Sequence, residues 1–420
     1  MQKTLLKSII SRQSKEKDDL LKLPYIERSK ARESQELISS DLIKVVLGPR
    51  RAGKSVFLLM LLKDKQFIYF NFDDPALMVQ KLDPNLFIDL LHQVYGDTKY
   101  LLFDEIQNLP NWELFVNSLH RRGYNLFLTG SNANLLSMEL ATHLTGRHLP
   151  IEMFPFDFKE FLRAKNYDLE KSDGDLSELL EQFMISGGFP EVVIKNQQPH
   201  GYLDVLFDAV LFKDVVKRHN VRFPEQMDYL SLYLINNISN RYSFRKLANI
   251  LNFKSNVTLE RYLSYLMEAY LVFSLSGFSA KVGQRIKSPK KIYMVDNGFI
   301  TAKTVQQSPN KGGLMENLVF TELLKRGYQP NRDLFYYNTR NNREVDFLLK
   351  EGSKVSELVQ VCYELNSLKV KEREIEALRV AGEELNVDKL AILTWDEEGE
   401  IEDKKAKIRL VPLWKYLLGR

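Results

Sequence analysis

The sequence predicts an α/β protein in three parts, and three observations carry that prediction. In the first 190 residues, short apolar runs ("IKVVL", "FIYFNF", "YLLFD", "YNLFLTG") alternate with helix-like segments, the pattern of a parallel sheet covered by helices on both faces. Residues 226–300 read as two short helices followed by a basic hairpin. Residues 310–420 return to alternating helices and strands, a second α/β region. A helical extension (1–35) precedes the first part and a helical linker (191–225) follows it.

Composition sets the outer limits. The chain has 420 residues, enough for several cores, and its 44% hydrophobic and 27% charged residues exclude wholesale disorder. A formal charge of +4 leaves room for a local basic patch without demanding one. The single cysteine, Cys362, excludes an internal disulfide framework. The N-terminal apolar run is broken by Lys7 and Ser8, too short for a signal peptide, and no window reaches the length of a membrane span. A cytoplasmic protein with no membrane partner is expected.

The first strand, "IKVVL", leads into Gly48-Pro49-Arg50-Arg51-Ala52-Gly53-Lys54-Ser55, followed by an apolar helix starting at Val56. This is the P-loop pattern in its required strand–loop–helix setting. Gly48 and Gly53 permit a tight loop whose backbone N–H groups face an anion, and the helix adds its positive end. Lys54 is placed for the β- and γ-phosphates and Ser55 for Mg²⁺, so ATP and Mg²⁺ are the expected ligands.

About fifty residues on, "KYLLFDEIQN" ends a buried strand in Asp104-Glu105. Asp104 would hold the metal and Glu105 would polarise the attacking water. The next strand ends in Thr129-Gly130-Ser131-Asn132. Ser131 or Asn132 could sense the γ-phosphate there; a capped strand-to-helix turn explains the same residues equally well.

Together "GPRRAGKS", "LLFDEIQN", "LTGSNANLL", "HLTGRHLPIEMFPFDFKEFL" and "ISGGFPEV" resemble the AAA-type P-loop ATPases of bacteria and archaea, in particular a branch with a poorly characterised C-terminal region. The resemblance implies an ATPase domain over 36–190, ATP hydrolysis, and Arg147 of "TGRH" as a γ-phosphate-sensing or finger arginine. A surface arginine is the other reading of Arg147. Because such enzymes place a neighbour's arginine at the nucleotide, the resemblance also raises a homo-oligomer.

In the middle part, Ser243 and Ser255 are positioned to cap helices at 244–251 and about 256–269, with a strand at 271–275. This is the order of a winged helix-turn-helix, with "FSAKVGQRIKSPKKIYMVD" as the wing. Asn256, Thr258 and Arg261 on the second helix, and Lys281, Arg285, Lys287, Lys290 and Lys291 in the wing, are candidate DNA contacts. A structural or protein-docking module accounts for the same pattern.

The last part opens with an amphipathic helix carrying Glu316. In "EVDFLLKE" the alternation sets Val345, Phe347 and Leu349 against Glu344, Asp346 and Leu348. Gln360 and Cys362 share one face of the following strand. The helix–strand–strand–helix–strand order resembles restriction-endonuclease-like nucleases, whose working site uses a helix Glu, an Asp and Glu-x-Lys. Glu316 and Asp346 match that set, while Gln360 and Cys362 stand where the second Glu and the Lys belong. Losing those two groups removes most of the charge stabilisation for cleavage. A nuclease scaffold without nuclease chemistry is therefore expected.

Overall fold

The computed structural model describes residues 2–77, 82–132, 146–168, 176–195, 199–304, 310–365, 367–404 and 406–420. The chain divides into two compact units, Met1–Phe154 and Pro155–Arg420. No described helix is long and apolar enough to cross a membrane.

In the first unit, β1 (Ile43–Leu47), β2 (Ile68–Asn71), β3 (Tyr100–Asp104), β4 (Asn125–Gly130) and β5 (His148–Glu152) form a sheet in the order β2-β3-β4-β1-β5. Every pairing in it is parallel. β1 and β4 are buried at every position. A strand covered on both faces has no solvent side to mark, which is why these runs are apolar without alternation. Parallel strands place all their C-terminal ends at one edge of the sheet, and the loops leaving β1, β3 and β4 meet there.

The N-terminal helix Gln2–Lys22 belongs to this unit. Leu6, Ile9 and Ile10 are buried, and the helix packs on β2 and on the helix Pro84–Tyr95. Gln13 imitates a neighbouring strand along the free edge of β2. Its Oε1 accepts the Asn71 N–H at 2.8 Å, and its Nε2 donates to the Asn71 carbonyl at 3.1 Å. Satisfying the exposed backbone of an edge strand in this way blocks further strand addition.

The domain bounds differ from the expected ones. Residues 155–190, expected to close the ATPase domain, fall within the second unit. There the Phe156 N–H donates to the Gly188 carbonyl at 2.7 Å. Gly187 takes φ +73, and a Cβ at that position would stand 1.7 Å from Asp296 Oδ1, so "SGGFP" is a close-packing element. The stretch 191–225, expected as a linker, buries Leu203, Leu206, Phe207, Val210, Leu211 and Val215, and its Val210–Lys217 segment is a π-helix. It is part of the unit's core.

Next come helices Phe244–Ile250 and Asn256–Glu268. Ser243 Oγ accepts the Lys246 N–H and Ser255 Oγ accepts the Val257 N–H, the two expected caps. β6 (Arg241–Tyr242), β7 (Val272–Ser276) and β8 (Lys290–Met294) form an antiparallel sheet in the order β6-β8-β7. The connection between β7 and β8 contains a short helix, Val282–Lys287, where the sequence suggested a plain hairpin.

The C-terminal region begins with the helix Lys311–Lys325 and builds a six-stranded sheet, β13-β14-β12-β11-β10-β9. Its strands are β9 (Leu334–Asn338), β10 (Glu344–Glu351), β11 (Lys354–Cys362), β12 (Leu390–Thr394), β13 (Gly399–Asp403) and β14 (Ala406–Pro412). β9 and β13 are additional to the helix–strand–strand–helix–strand order expected from the sequence. The expected facing of β10 also needs correction. Val345 and Leu348 share one core cluster, while Phe347 packs on Tyr293 and Phe320. A register shift between Val345 and Leu348 breaks strict alternation.

Candidate functional site

In the first unit the side chains converge where β1, β3 and β4 end. Gly48 takes φ +145, and a Cβ there would meet the Met153 carbonyl oxygen at 1.9 Å, so no other residue fits. Gly53 enters the helix Lys54–Leu61 in the left-handed region, and that helix has no side-chain cap at its N-terminus. Uncapped N–H groups at a helix start suit an anion. The loop folds over Lys54, which is buried and donates to the carbonyls of Gly48 (3.0 Å) and Pro49 (2.9 Å). Arg50 pairs with Asp73 at 2.8 Å. Arg51 is exposed at φ 66, and Val56 is 41% exposed one turn into the helix.

Asp104 is buried beneath this loop and accepts three hydroxyl protons. Ser55 Oγ donates to Oδ1 at 2.8 Å, Thr129 Oγ1 also donates to Oδ1, and Tyr69 OH donates to Oδ2 at 3.2 Å. Burial and then the neighbouring Glu105 push its pKa up, against the pull of Thr129, Ser55 and Lys54. A buried carboxylate of this kind gains from a cation beside it. Ser55 and Asp104 fit Mg²⁺, which takes one or two protein oxygens and fills its remaining positions with water and phosphate.

Glu105 adopts the left-handed region at φ 50, and its N–H is held by Thr129 Oγ1 at 2.9 Å. A non-glycine residue persists there only where its surroundings fix it. Its carboxylate accepts from Gln107 Nε2 and from Ser131 Oγ at 3.1 Å. Ser131 therefore joins the cluster. Asn132 is buried one residue further on, and residues 133–145 lie outside the described residues.

Arg147 is not in this cluster. It precedes β5, whose first residue, His148, is in register with Ile43 at the opposite end of β1 from the loop. Four strand steps of ~3.3 Å separate the two ends. Arg147 is exposed.

Three residues of this site escaped the sequence reading. Thr129 ties Asp104 to Glu105, Tyr69 completes the Asp104 shell, and Arg28 grips the loop from outside, donating to the carbonyls of Ala52 (2.8 Å) and Phe154 (2.5 Å). Thr129 had a signal, a hydroxyl residue ending a strand beside Asp-Glu. Nothing marked Tyr69 or Arg28.

The second unit contains a buried charged centre. It brings together Glu316, Asp346 and Gln360. Lys291 does not serve as a wing contact: it is 1% exposed, with its Nζ at 2.5 Å from Glu316, 3.0 Å from Glu344 and 3.0 Å from Asp346. Tyr293 OH donates to Glu316 at 2.7 Å. Gln360 Oε1 accepts the Asp346 N–H at 3.1 Å, and its amide donates to Glu374 at 2.7 Å. Burial, reinforced by Asp346, pushes the Glu316 carboxyl up to about 8. Cys362 packs in the core, and burial raises its thiol to about 11.

The other candidate contacts divide by exposure. Asn256, Arg261, Lys281 and Lys287 are exposed, whereas Thr258 is half-buried. Arg285 stacks over Phe335 and Lys290 over Phe244, both half-buried.

Comparison with known proteins agrees with the first-unit geometry. Residues 40–162 match the model of an AAA domain, residues 177–310 a domain of unknown function (DUF8612), and residues 311–416 another (DUF4143). An uncharacterized protein of Methanocaldococcus jannaschii, MJ1544, is 40% identical over 403 residues, 90% of this chain and 88% of that protein. An uncharacterized protein of Haemophilus influenzae is 32% identical over 352 residues, 79% of this chain and 86% of that protein. Among solved structures, the Walker-type ATPase PABY2304 of Pyrococcus abyssi aligns with 67% of this chain and 99% of its own, at 17% identity and a TM-score of 0.44. The RuvB Holliday junction branch migration motor of Thermotoga maritima aligns with 59% of this chain and 89% of its own, at 15% identity and a TM-score of 0.31. With its P-loop AAA domain followed by two domains of unknown function, the chain belongs to the family of the M. jannaschii and H. influenzae proteins.

Proposed function

We propose that this chain is a Mg²⁺-dependent ATPase that acts on or with DNA. One observation carries the reading: Thr129 joins Asp104 to Glu105, Ser55 donates to the first and Ser131 to the second, and the Lys54 charge acts on Asp104 from the loop above. The ATP phosphates would draw Lys54 away from the carbonyls of Gly48 and Pro49. Ser55 and Asp104 would hold Mg²⁺, which supplies charge neutralisation at the β- and γ-phosphates. Glu105, once released by Gln107, accepts the proton of the attacking water, and the freed Ser131 hydroxyl turns to the γ-phosphate. Exposed at the other end of β1 from the loop, Arg147 is open to a neighbouring copy's nucleotide in a homo-oligomer, and a plain surface arginine is the other reading.

The DNA part of the reading rests on a winged-helix interpretation of residues 241–294, with Asn256, Arg261, Lys281 and Lys287 open to a phosphate backbone. A nucleotide-gated protein-docking module is the second reading. It is favoured by exposed apolar side chains on the same elements: Ile250, Val257 (63% exposed), Val282 and Ile286 (72% exposed). A nuclease centred on Glu316 and Asp346 is disfavoured because Lys291 lies among those carboxylates.

ATP turnover with and without single-stranded, duplex and branched DNA tests the proposal. Lys54→Ala and Glu105→Gln should fall to background, and normal turnover in either variant sinks the ATPase reading. Salt-sensitive DNA binding should weaken when Lys281 and Lys287 are neutralised. Binding indifferent to that change, or none, favours the protein-docking module.

A further inference from the structure

The expected nuclease constellation lacks a lysine on β11, yet a lysine reaches its carboxylates from another part of the chain. Lys291 is the second residue of β8, paired with Arg241 of β6 on one side and Leu275 of β7 on the other. Its side chain enters the helix–sheet core of the C-terminal region and meets carboxylates from the helix Lys311–Lys325 and from β10. An ammonium group has three N–H donors, and three carboxylates lie within 3.0 Å of this one.

Further partners gather on the same three carboxylates. Asp346 Oδ2 accepts the Val361 N–H at 3.0 Å. Glu344 Oε2 is 2.5 Å from Arg241 Nε, so two cross-strand neighbours share one glutamate. Glu316 Oε1 takes the Tyr293 hydroxyl as well as the ammonium. A lysine that assists cleavage keeps a donor for water or phosphate, whereas this one donates to Asp346 at 3.0 Å, lies within 3.0 Å of Glu316 and Glu344, and is 1% exposed. Among the described residues, no group of three or more acidic, histidine or cysteine side chains is arranged to hold a metal ion.

We propose that Lys291 is the resident cation of the Glu316–Glu344–Asp346 centre. Its ammonium fills the position that a divalent metal would take, and the centre fastens the basic hairpin to the C-terminal sheet instead of cleaving a substrate. The inference does not depend on ATP hydrolysis.

The test uses the full-length chain without nucleotide and Mn²⁺ as the probe, with bound metal read from the loss of the free-ion EPR signal. Wild type and Asp346→Asn should bind equal amounts of Mn²⁺. Lys291→Ala should bind one more ion per chain, and the double variant should lose it. An extra ion in wild type that Asp346→Asn removes overturns the proposal, as does a folded Lys291→Ala with no gain. Should that variant not fold, acetylation of wild-type lysines followed by mass spectrometry decides. Lys291 should react at least tenfold more slowly than Lys287, with or without Mn²⁺, and comparable rates overturn the proposal. Asp346-dependent cleavage of DNA by wild type in Mn²⁺ also overturns it.

Discussion

Replacing Thr129 by valine tests the logic of the nucleotide site at a residue that never contacts a phosphate. The side chain is fully buried, and valine keeps its branched shape while putting a methyl group where the hydroxyl was. That hydroxyl donates to Asp104 and accepts the Glu105 N–H at 2.9 Å. A hydrogen bond to a charged group contributes about 1.5–3 kcal/mol and a neutral one about 1 kcal/mol, so the first unit should lose about 2–4 kcal/mol. Against a typical total of about 5–15 kcal/mol the protein stays folded.

The effect on turnover should be larger than a stability change alone would cause. Without Thr129, nothing ties the strained Glu105 backbone to β4, and loss of that placement should reduce kcat/KM about 10–100-fold. Asp104 also loses a donor that lowers its pKa, so its carboxyl moves further up. The acid limb of the pH–rate profile should then shift to higher pH. Urea unfolding and ATPase pH profiles of Thr129→Val read both effects. Tyr69→Phe, which removes only the 3.2 Å contact to Oδ2, should shift the acid limb without displacing Glu105. A Thr129→Val protein with wild-type stability and an unshifted acid limb refutes the reasoning.

Other consequences follow from single contacts. Gly48→Ala places a methyl group 1.9 Å from the Met153 carbonyl and should cost more than about 4 kcal/mol, and a wild-type melting temperature would contradict that close approach. Glu316→Gln tests the charged centre through pH. The Glu316 carboxyl, pushed up to about 8, binds its proton more tightly in the folded state. Its contribution is thus complete below about pH 4.5 and fades as pH rises toward about 8. Urea midpoints between pH 5 and 8 should fall with pH more steeply for wild type than for Glu316→Gln, and parallel slopes would refute the assignment.

The sequence by itself determined the features that depend on local chemistry. A P-loop needs glycines, a lysine and a hydroxyl at fixed spacing between a strand and a helix, so "GPRRAGKS" declared itself. The same holds for "LLFDE", where a buried strand delivers adjacent carboxylates, and for Ser243 and Ser255, whose caps reach only two or three residues along the chain. Tertiary structure alone decided the features made by residues far apart in sequence. Nothing local places Arg147, and the parallel pairing of β5 with β1 puts it at the opposite end of β1 from the P-loop. Gln13 closes an edge strand 58 residues away. Lys291 stood among neighbouring lysines of identical formal charge, and only its ion pairs with the helix Lys311–Lys325 and β10 separated it from them. Charge is written in the sequence, but burial, which decides whether a lysine meets phosphate or carboxylate, is a property of the fold.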